Sequence, residues 1–289
     1  MENAKDVLGL IEASYHTFSK GQRRIADYVC ENYDKAVSMT AARLGETVGV
    51  SESTVVRFAA ELGFKGFPQF QKALKELVKK RLSSVQRVTL AYDRLTNGDD
   101  FVSAVIHDDI RNLNATLQMV DKQAFSEAVD LIEHARKIYI VGGRSCDMLA
   151  SFFAYYLSFI MDQVHLVSSD SVTESLEEIY RINDKDVVIG ISFPRYSVKT
   201  QQTMAFAKNR DARIIAITDG MQSPLVQYAD CSIYARSDMV SFVDSLVAPL
   251  SVINALLAAI SIRNKDSVTE TLEAMETMWN EMHEYRIRD

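Results

Sequence analysis

The feature that most constrains this chain is a change of rhythm near residue 137. Beyond it, short β-branched runs alternate with stretches long enough for helices. The runs are Lys137–Val141, Val164–Ser168, Asp186–Ser192, Arg213–Thr218 and Cys231–Ala235. Between them lie candidate helices at about Ser145–Met161, Thr173–Arg181, Val198–Arg210 and Ser223–Tyr228. Strands separated by helical crossovers pair in parallel, with helices on both faces of the sheet. The pattern therefore predicts a doubly wound, mostly parallel five-stranded sheet. Helical periodicity also covers Phe101 to His134, an apolar stretch at about Phe242–Ile262, and a charged segment running to the end. Neither an internal repeat nor a low-complexity segment interrupts it.

A chain of 289 residues exceeds what one core usually supports, so a second domain is expected. Residues 1–80 supply it, reading as helix throughout. Ser19 is placed to cap a helix carrying Ile25, Tyr28, Val29 and Tyr33, Thr40 a second helix, and Ser51 a third from Glu52 to Leu62 that Gly63 stops. A fourth runs from about Pro68 to Lys80, with proline in the first turn. Residues 81–100 read as a linker ending in the turn signal Asn97-Gly98-Asp99-Asp100, and residues 101–289 as the α/β domain. Charge divides along the same line. Residues 1–90 hold 14 Lys and Arg against 10 Asp and Glu, a net +4, and the rest hold 18 against 29, a net −11. That asymmetry permits a polyanion at one end only, and a solvated basic face would look the same.

The stretch from Leu44 to Phe58 has helix-turn-helix spacing. Gly45 sits where two helices must approach closely, and Gly49 supplies the turn, where a positive φ is needed. Val50, Val55 and Phe58 are expected to face the first helix. Ser51, Ser53, Thr54 and Arg57 are left on the outer face, and they are residue types that meet phosphates and base edges in a major groove. Lys65, just past the helix, is placed for a backbone phosphate. An ordinary helical hairpin shares the spacing.

Two loops of the α/β domain carry a different chemistry. Strand Lys137–Val141 runs into Gly142-Gly143-Arg144-Ser145, where a helix opens and its N-terminal amides favour an anion. Strand Asp186–Ser192 runs into Phe193-Pro194-Arg195-Tyr196-Ser197, again before a helix, so that Ser192, Arg195 and Ser197 converge on a strand end. If strand order reverses between the first and third runs, the two loops meet at the switch point, where open α/β sheets take ligands. Glycines needed only for turning would give the first loop the same appearance. In a third loop, Thr218 to Leu225, plain N-capping by Ser223 is the simpler reading.

Residues Ser19 to about Ala73 resemble the N-terminal domain of the RpiR family of bacterial regulators. The likeness rests on Ile25-Ala26-Asp27-Tyr28, on Val48 to Phe58, and on Leu62-Gly63-Phe64-Lys65-Gly66-Phe67. It implies sequence-specific binding to a double-stranded DNA operator, normally as a dimer on inverted half-sites. Residues 124 to 262 resemble a sugar isomerase (SIS) domain, the phosphosugar-binding module joined to such DNA-binding domains. The carriers are Gly142 to Ser145, Ile191 to Ser197 with Thr200, and Ser223-Pro224-Leu225 with Ala229-Asp230. This resemblance implies flavodoxin-type strand order and a phosphorylated sugar effector held by Ser145, Ser192 and Ser197, with Gly142, Gly143, Arg144 and Arg195 around it. The family's Ser-x-Ser-Gly is altered here, since Pro194 replaces the second serine and Arg195 the glycine. One hydroxyl is lost and a cation gained.

The alternative function is a phosphosugar isomerase or lyase, which needs a general base at the substrate. Glu174, Glu177, Asp244 and His165 are the candidates, and no motif forces any of them into a pocket. Glu174 and Glu177 read as an exposed helix face, and His165 as a strand residue with a satisfied hydrogen bond. Cys146 has no paired base, so nucleophilic catalysis is unsupported. A metabolic isomerase has no use for a helix-turn-helix, and the chain reads as a regulator, not an enzyme. The scattered histidines and the three unpaired cysteines (Cys30, Cys146, Cys231) predict no metal and no cofactor. With no secretion signal and no membrane-length apolar run, a cytoplasmic homodimer or homotetramer without membrane contact is expected. The apolar helix Phe242–Ile262 is a candidate interface element or, equally, a core helix.

Overall fold

The computed structural model describes residues 7–81, 85–88, 100–169, 171–239 and 242–283. They divide into two compact units, one before Asp100 and one from Asp100 onward, residues 241–243 apart. Most of the expected linker, 81–100, lies outside the described residues, which include a helical turn α7 at 85–88.

The first unit is all helical: α1 (Val7–Ser14), α2 (Lys20–Glu31), α3 (Tyr33–Ala36), α4 (Ala41–Val48), α5 (Glu52–Glu61) and α6 (Phe67–Arg81). Its starts are set by side chains that satisfy first-turn amides. Ser19 and Gln22 form a reciprocal capping box, the Ser19 amide donating to Gln22 Oε1 at 2.9 Å. Thr40 Oγ1 accepts from the Arg43 amide and Ser51 Oγ from the Thr54 amide. The core is aromatic: Phe58 lies 5.1 Å from Phe18 and 5.8 Å from Phe70, which also touches Phe64 and Phe67. Pro68 falls in the first turn of α6, where its missing N–H costs nothing.

The second unit opens with α8 (Phe101–Met119) and α9 (Lys122–Glu133). The continuous helical reading of Phe101 to His134 thus breaks at Val120 and Asp121. Asp121 leaves the helix because its carboxylate caps α9, accepting from the amides of Gln123 and Ala124. Then follow β1 (Lys137–Val141), α10 (Ser145–Leu157), β2 (Val164–Val167), α11 (Val172–Glu178), β3 (Asp186–Ile191), α12 (Val198–Lys208), β4 (Arg213–Thr218), β5 (Cys231–Tyr234), α13 (Val247–Arg263) and α14 (Lys265–Met282). All pairings are parallel and the strand order is β2-β1-β3-β4-β5, the flavodoxin-type order. Strand period divides the core. Ile138, Ile140, Val187, Ile189 and Ile191 pack with α9, α10 and α13, while Tyr139, Val141 and Val188 pack with α12 and with Ile179 and Ile182 just after α11. At Gly190 a Cβ would lie 2.2 Å from Met204 Sδ, so α12 sits directly on the β3 backbone.

Two expected helices differ. Ser223–Tyr228 forms successive tight turns, not a helix: Val226, Tyr228 and Ala229 donate to carbonyls three residues back. Pro224 has no amide to add to a ladder, and the Ser223 hydroxyl is bonded to Thr218 Oγ1 at 2.7 Å. The apolar helix starts at Val247, five residues later than the composition suggests. Pro249 fits only in its first turn, because farther in its ring would meet the carbonyl four residues back. Phe242 and Val243 stay exposed.

Helix α13 ends at Asn264, whose side chain donates to the Ile260 carbonyl and to Glu133 Oε1. There the chain bends by 101° into α14, none of whose residues is buried. With α10 and α13, α14 frames an apolar groove of about 600 Å³ lined by Phe152, Tyr155, Tyr156, Phe159 and Trp279 among others. No single described helix is long and apolar enough to cross a membrane.

Candidate functional site

The first candidate surface is α5. Its approach to α4 depends on Gly45, where a Cβ would lie 2.8 Å from the Val50 carbonyl oxygen. Gly49 takes φ +69°, and its carbonyl accepts from Arg24 Nη1 at 3.1 Å, which ties α2 to the turn. Val55, Phe58 and Ala59 are buried, so the opposite side of α5 is presented outward. Ser51, Ser53, Arg57 and Lys65 are exposed there. Thr54 departs from the expected outer position: it is half-buried and turned to α2, its methyl 3.5 Å from where a Gly21 Cβ would stand. Val50 is likewise half-buried against Gly21 and not in the core.

The hydroxyls of Ser51, Ser53 and Thr54 form a chain, with Ser51 Oγ 2.9 Å from Ser53 Oγ and 2.8 Å from Thr54 Oγ1. Arg57 Nε donates to the Ser53 carbonyl at 3.3 Å, laying the guanidinium along the helix. Sequence patterning passed over Val56, which is 41% exposed and three residues on from Ser53. Its apolar branches are suited to a thymine methyl, and the i, i+3 spacing was the available signal.

The second candidate site is the switch point, where the carboxyl ends of β1 and β3 lie side by side. The loops after these strands touch: a Cβ at Gly143 would lie 2.3 Å from Ser197 Oγ. At Gly142 it would lie 2.4 Å from the Cys146 carbonyl, so the chain turns directly into α10. Ser145, the first residue of α10, is exposed. Ser192 is 2% exposed, and its Oγ accepts from the Ser197 amide at 3.0 Å. Ser197 Oγ accepts from the Thr200 amide and so caps α12.

Arg144 (φ +59°) and Arg195 (φ +68°) both occupy left-handed backbone and are both exposed. The loop around Arg195 is held on both sides. Pro194 is buried, the Tyr196 hydroxyl donates to Asp219 Oδ1 at 2.7 Å, and Thr218 Oγ1 donates to the Ser192 carbonyl at 2.7 Å.

Three polar groups at this end of the sheet were not singled out as ligands by patterning. Thr200 is 0% exposed and its Oγ1 has no hydrogen-bond partner; it points to the Gly143–Ser197 contact, 3.5 Å from the Gly143 Cβ position. Lys199 is 8% exposed, and its ammonium donates to the Ser169 carbonyl beyond β2. Asp147, in the first turn of α10, has one buried carboxylate oxygen without a partner. Thr200 stands among the residues that carry the SIS resemblance, but its unmet hydrogen bond and that of Asp147 leave no mark on a residue pattern.

The candidate bases are dispersed. Glu174 and Glu177 are exposed on α11, where Glu174 accepts from the Ser169 hydroxyl. His165, expected to have a satisfied hydrogen bond, instead stacks on Tyr139 at 5.3 Å. Desolvation and the nearby Lys137 charge lower its pKa and favour the neutral ring. Asp244 is felt electrostatically at Cys146. Burial pushes the Cys146 thiol up to about 11, against opposing hydrogen bonds from the Phe193 backbone and Ser145, so it is not a thiolate near neutrality. No cluster of metal-binding side chains occurs among the described residues.

Comparison with known proteins covers both units. The helix-turn-helix domain of the rpiR family matches residues 5–81, and the SIS domain matches residues 131–259. The HTH-type transcriptional regulator HexR of Escherichia coli is 27% identical over 288 residues, covering 94% of each chain. The sugar isomerase domain of an RpiR transcription factor from Sphaerobacter thermophilus is 27% identical, with a TM-score of 0.58 over 61% of this chain and 98% of that one. Vibrio vulnificus NanR, solved in complex with ManNAc-6P, shares the fold at 21% identity, with a TM-score of 0.58 over 94% of this chain and 99% of that one.

Proposed function

Because this chain is a transcriptional regulator of the RpiR family, with that family's helix-turn-helix domain joined to a SIS domain, we propose that it binds operator DNA under the control of a phosphorylated sugar. The observation that carries the effector half is the contact between Gly143 and Ser197, with the unpartnered Thr200 hydroxyl directed at it. A phosphate ester seated over that contact meets the N-termini of α10 and α12, where amides and helix dipoles favour an anion. Ser145 and Ser197 add hydroxyls, Gly142 and Gly143 allow close backbone approach, and Arg144 and Arg195 add charge. Ser192 sets the loop, its lone pair already accepting from the Ser197 amide. That another member of this fold was solved with ManNAc-6P agrees with the ligand class.

On the DNA side, Ser51, Ser53 and Arg57 face the major groove and Lys65 a backbone phosphate, while Thr54 acts through its bond to Ser51. The domains run 1–80 and 101–289, with 81–100 as the linker. The protein is a cytoplasmic, non-enzymatic regulator that works as a homodimer or homotetramer, for which the α10–α13–α14 groove offers an apolar face. Recognition helices of a dimer then meet half-sites about 34 Å apart, or a multiple of that. The effector changes DNA affinity by its own difference in affinity for the two arrangements, commonly ~1–3 kcal/mol.

A thermal-shift series of phosphorylated sugars against their unphosphorylated parents tests the effector. A ligand at ~100 times its dissociation constant adds about 2.7 kcal/mol of stability. A shift confined to phosphorylated members is expected, and equal shifts with the parents would refute the phosphate site. Product formed from the bound sugar would refute the non-enzymatic reading.

A further inference from the structure

We infer that the cleft selects a phosphosugar bearing a second anionic group, a carboxylate or a second phosphate, and that Arg195 together with Arg144 makes the selection. This rests on the phosphosugar reading above and narrows it. Among the described residues four non-glycines have left-handed φ: Arg144, Arg195, Asp211 and His283. Two of the four are arginines in the two loops that meet at the switch point. Glycine would fit both positions without the strain such backbone imposes on a residue with a side chain. What glycine cannot supply is a guanidinium.

The cleft also separates its donors by depth. Ser192 and Thr200 are 2% and 0% exposed and lie at the floor, whereas Arg144 and Arg195 are exposed at the rim. A phosphate ester at the floor is served by amides and hydroxyls, and the unpartnered Thr200 Oγ1 marks that place independently of either arginine. The rim charges then meet whatever the sugar carries beyond its phosphate. Buried Pro194 and the Tyr196–Asp219 hydrogen bond fix the backbone on both sides of Arg195, so its side chain departs from a rigid base and loses less on binding.

Calorimetric titration of the full chain with matched pairs tests this: glucose 6-phosphate against 6-phosphogluconate, and fructose 6-phosphate against fructose 1,6-bisphosphate. The doubly anionic member of at least one pair is expected to bind about tenfold or more tightly, as a charge-assisted pair allows. The two pairs distinguish carboxylate from second phosphate. Arg195→Gly, which suits the φ at that position, should bring the ratio within the pair close to one. Equal affinity within both pairs, or a ratio that survives Arg195→Gly, would overturn the inference while leaving the phosphosugar reading standing. Equal weakening of both members by Arg195→Gly would show that Arg195 holds the shared phosphate, and would overturn it too. Absence of binding by all four would count against the phosphosugar reading itself and this inference with it.

Discussion

The two units turn their chains in opposite ways at the places proposed to meet a partner. In the helix-turn-helix unit the left-handed positions Gly49, Gly63 and Gly66 are glycines. The residues presented outward on α5 sit in unstrained helix, with hydroxyls already linked to one another. At the switch point of the α/β unit the glycines are placed for close approach, and the left-handed positions go to Arg144 and Arg195. The surface proposed to match a regular duplex is built from comfortable backbone. The loops proposed to grip a small anion hold side chains in conformations they would otherwise leave.

Replacing a hydrogen by a methyl in each unit should have the largest effect and separate the two. Gly143→Ala puts a Cβ into Ser197 and should destabilise the α/β unit by ~1–3 kcal/mol and abolish the sugar-induced shift. Gly45→Ala puts one against the Val50 carbonyl and should cost a similar amount in the first unit and lose operator binding. Denaturant unfolding followed separately by operator binding and by ligand shift reads both, and the same loss from either substitution would erase the distinction.

Next, Arg57→Ala should weaken specific DNA binding by about 1–3 kcal/mol while nonspecific binding changes less. Equal losses on operator and random duplex would reassign Arg57 to phosphate contact. Arg144→Gly should stabilise the apo protein by no more than ~2 kcal/mol, since relief of its φ is partly offset by greater freedom of the unfolded chain. A clear loss of stability would show that no strain is held there.

The smallest effect concerns the thiols. Cys146 and Cys231 are buried and pushed up to about 11 and about 12, chiefly by desolvation, whereas Cys30 is exposed. A disulfide-exchange reagent at pH 8 should modify Cys30 first and the other two only on unfolding. Because the folded values lie above the unfolded thiol's ~8.5, the stability these groups contribute is full below that pH and is lost as pH rises toward 11 and 12. A melting temperature that rises over that range would contradict this.

Much of this was legible in the residues. Three helix starts followed from Ser19, Thr40 and Ser51, because a cap is a local bargain between one side chain and its own next turn. Parallel pairing followed from the run pattern for a similar reason, since helical crossovers leave few other ways to wind, while the strand order came with the SIS resemblance. Asp121, by contrast, broke a helix that looked continuous, and Pro249 delayed one that looked longer. In both, a single residue's geometry overrode the average of its neighbours. Thr54 and Val50 turned inward because Gly21 of α2 leaves room for them, and Thr200 was left without a partner by packing around it. Such facts belong to pairs of residues distant in sequence.

The bend at Asn264 has an optical consequence. The chain has one tryptophan, Trp279, and the turn into α14 brings its ring within 6.5 Å of Phe159, just beyond the C-terminal end of α10. The other end of α10, about 20 Å away along the helix axis, is the Ser145 loop. One rigid rod therefore has the proposed anion cradle at its head and the protein's sole indole beside its foot. Any tilt of α10 on loop closure alters the surroundings of a single emitter, so effector binding is readable as intrinsic fluorescence without attaching a dye.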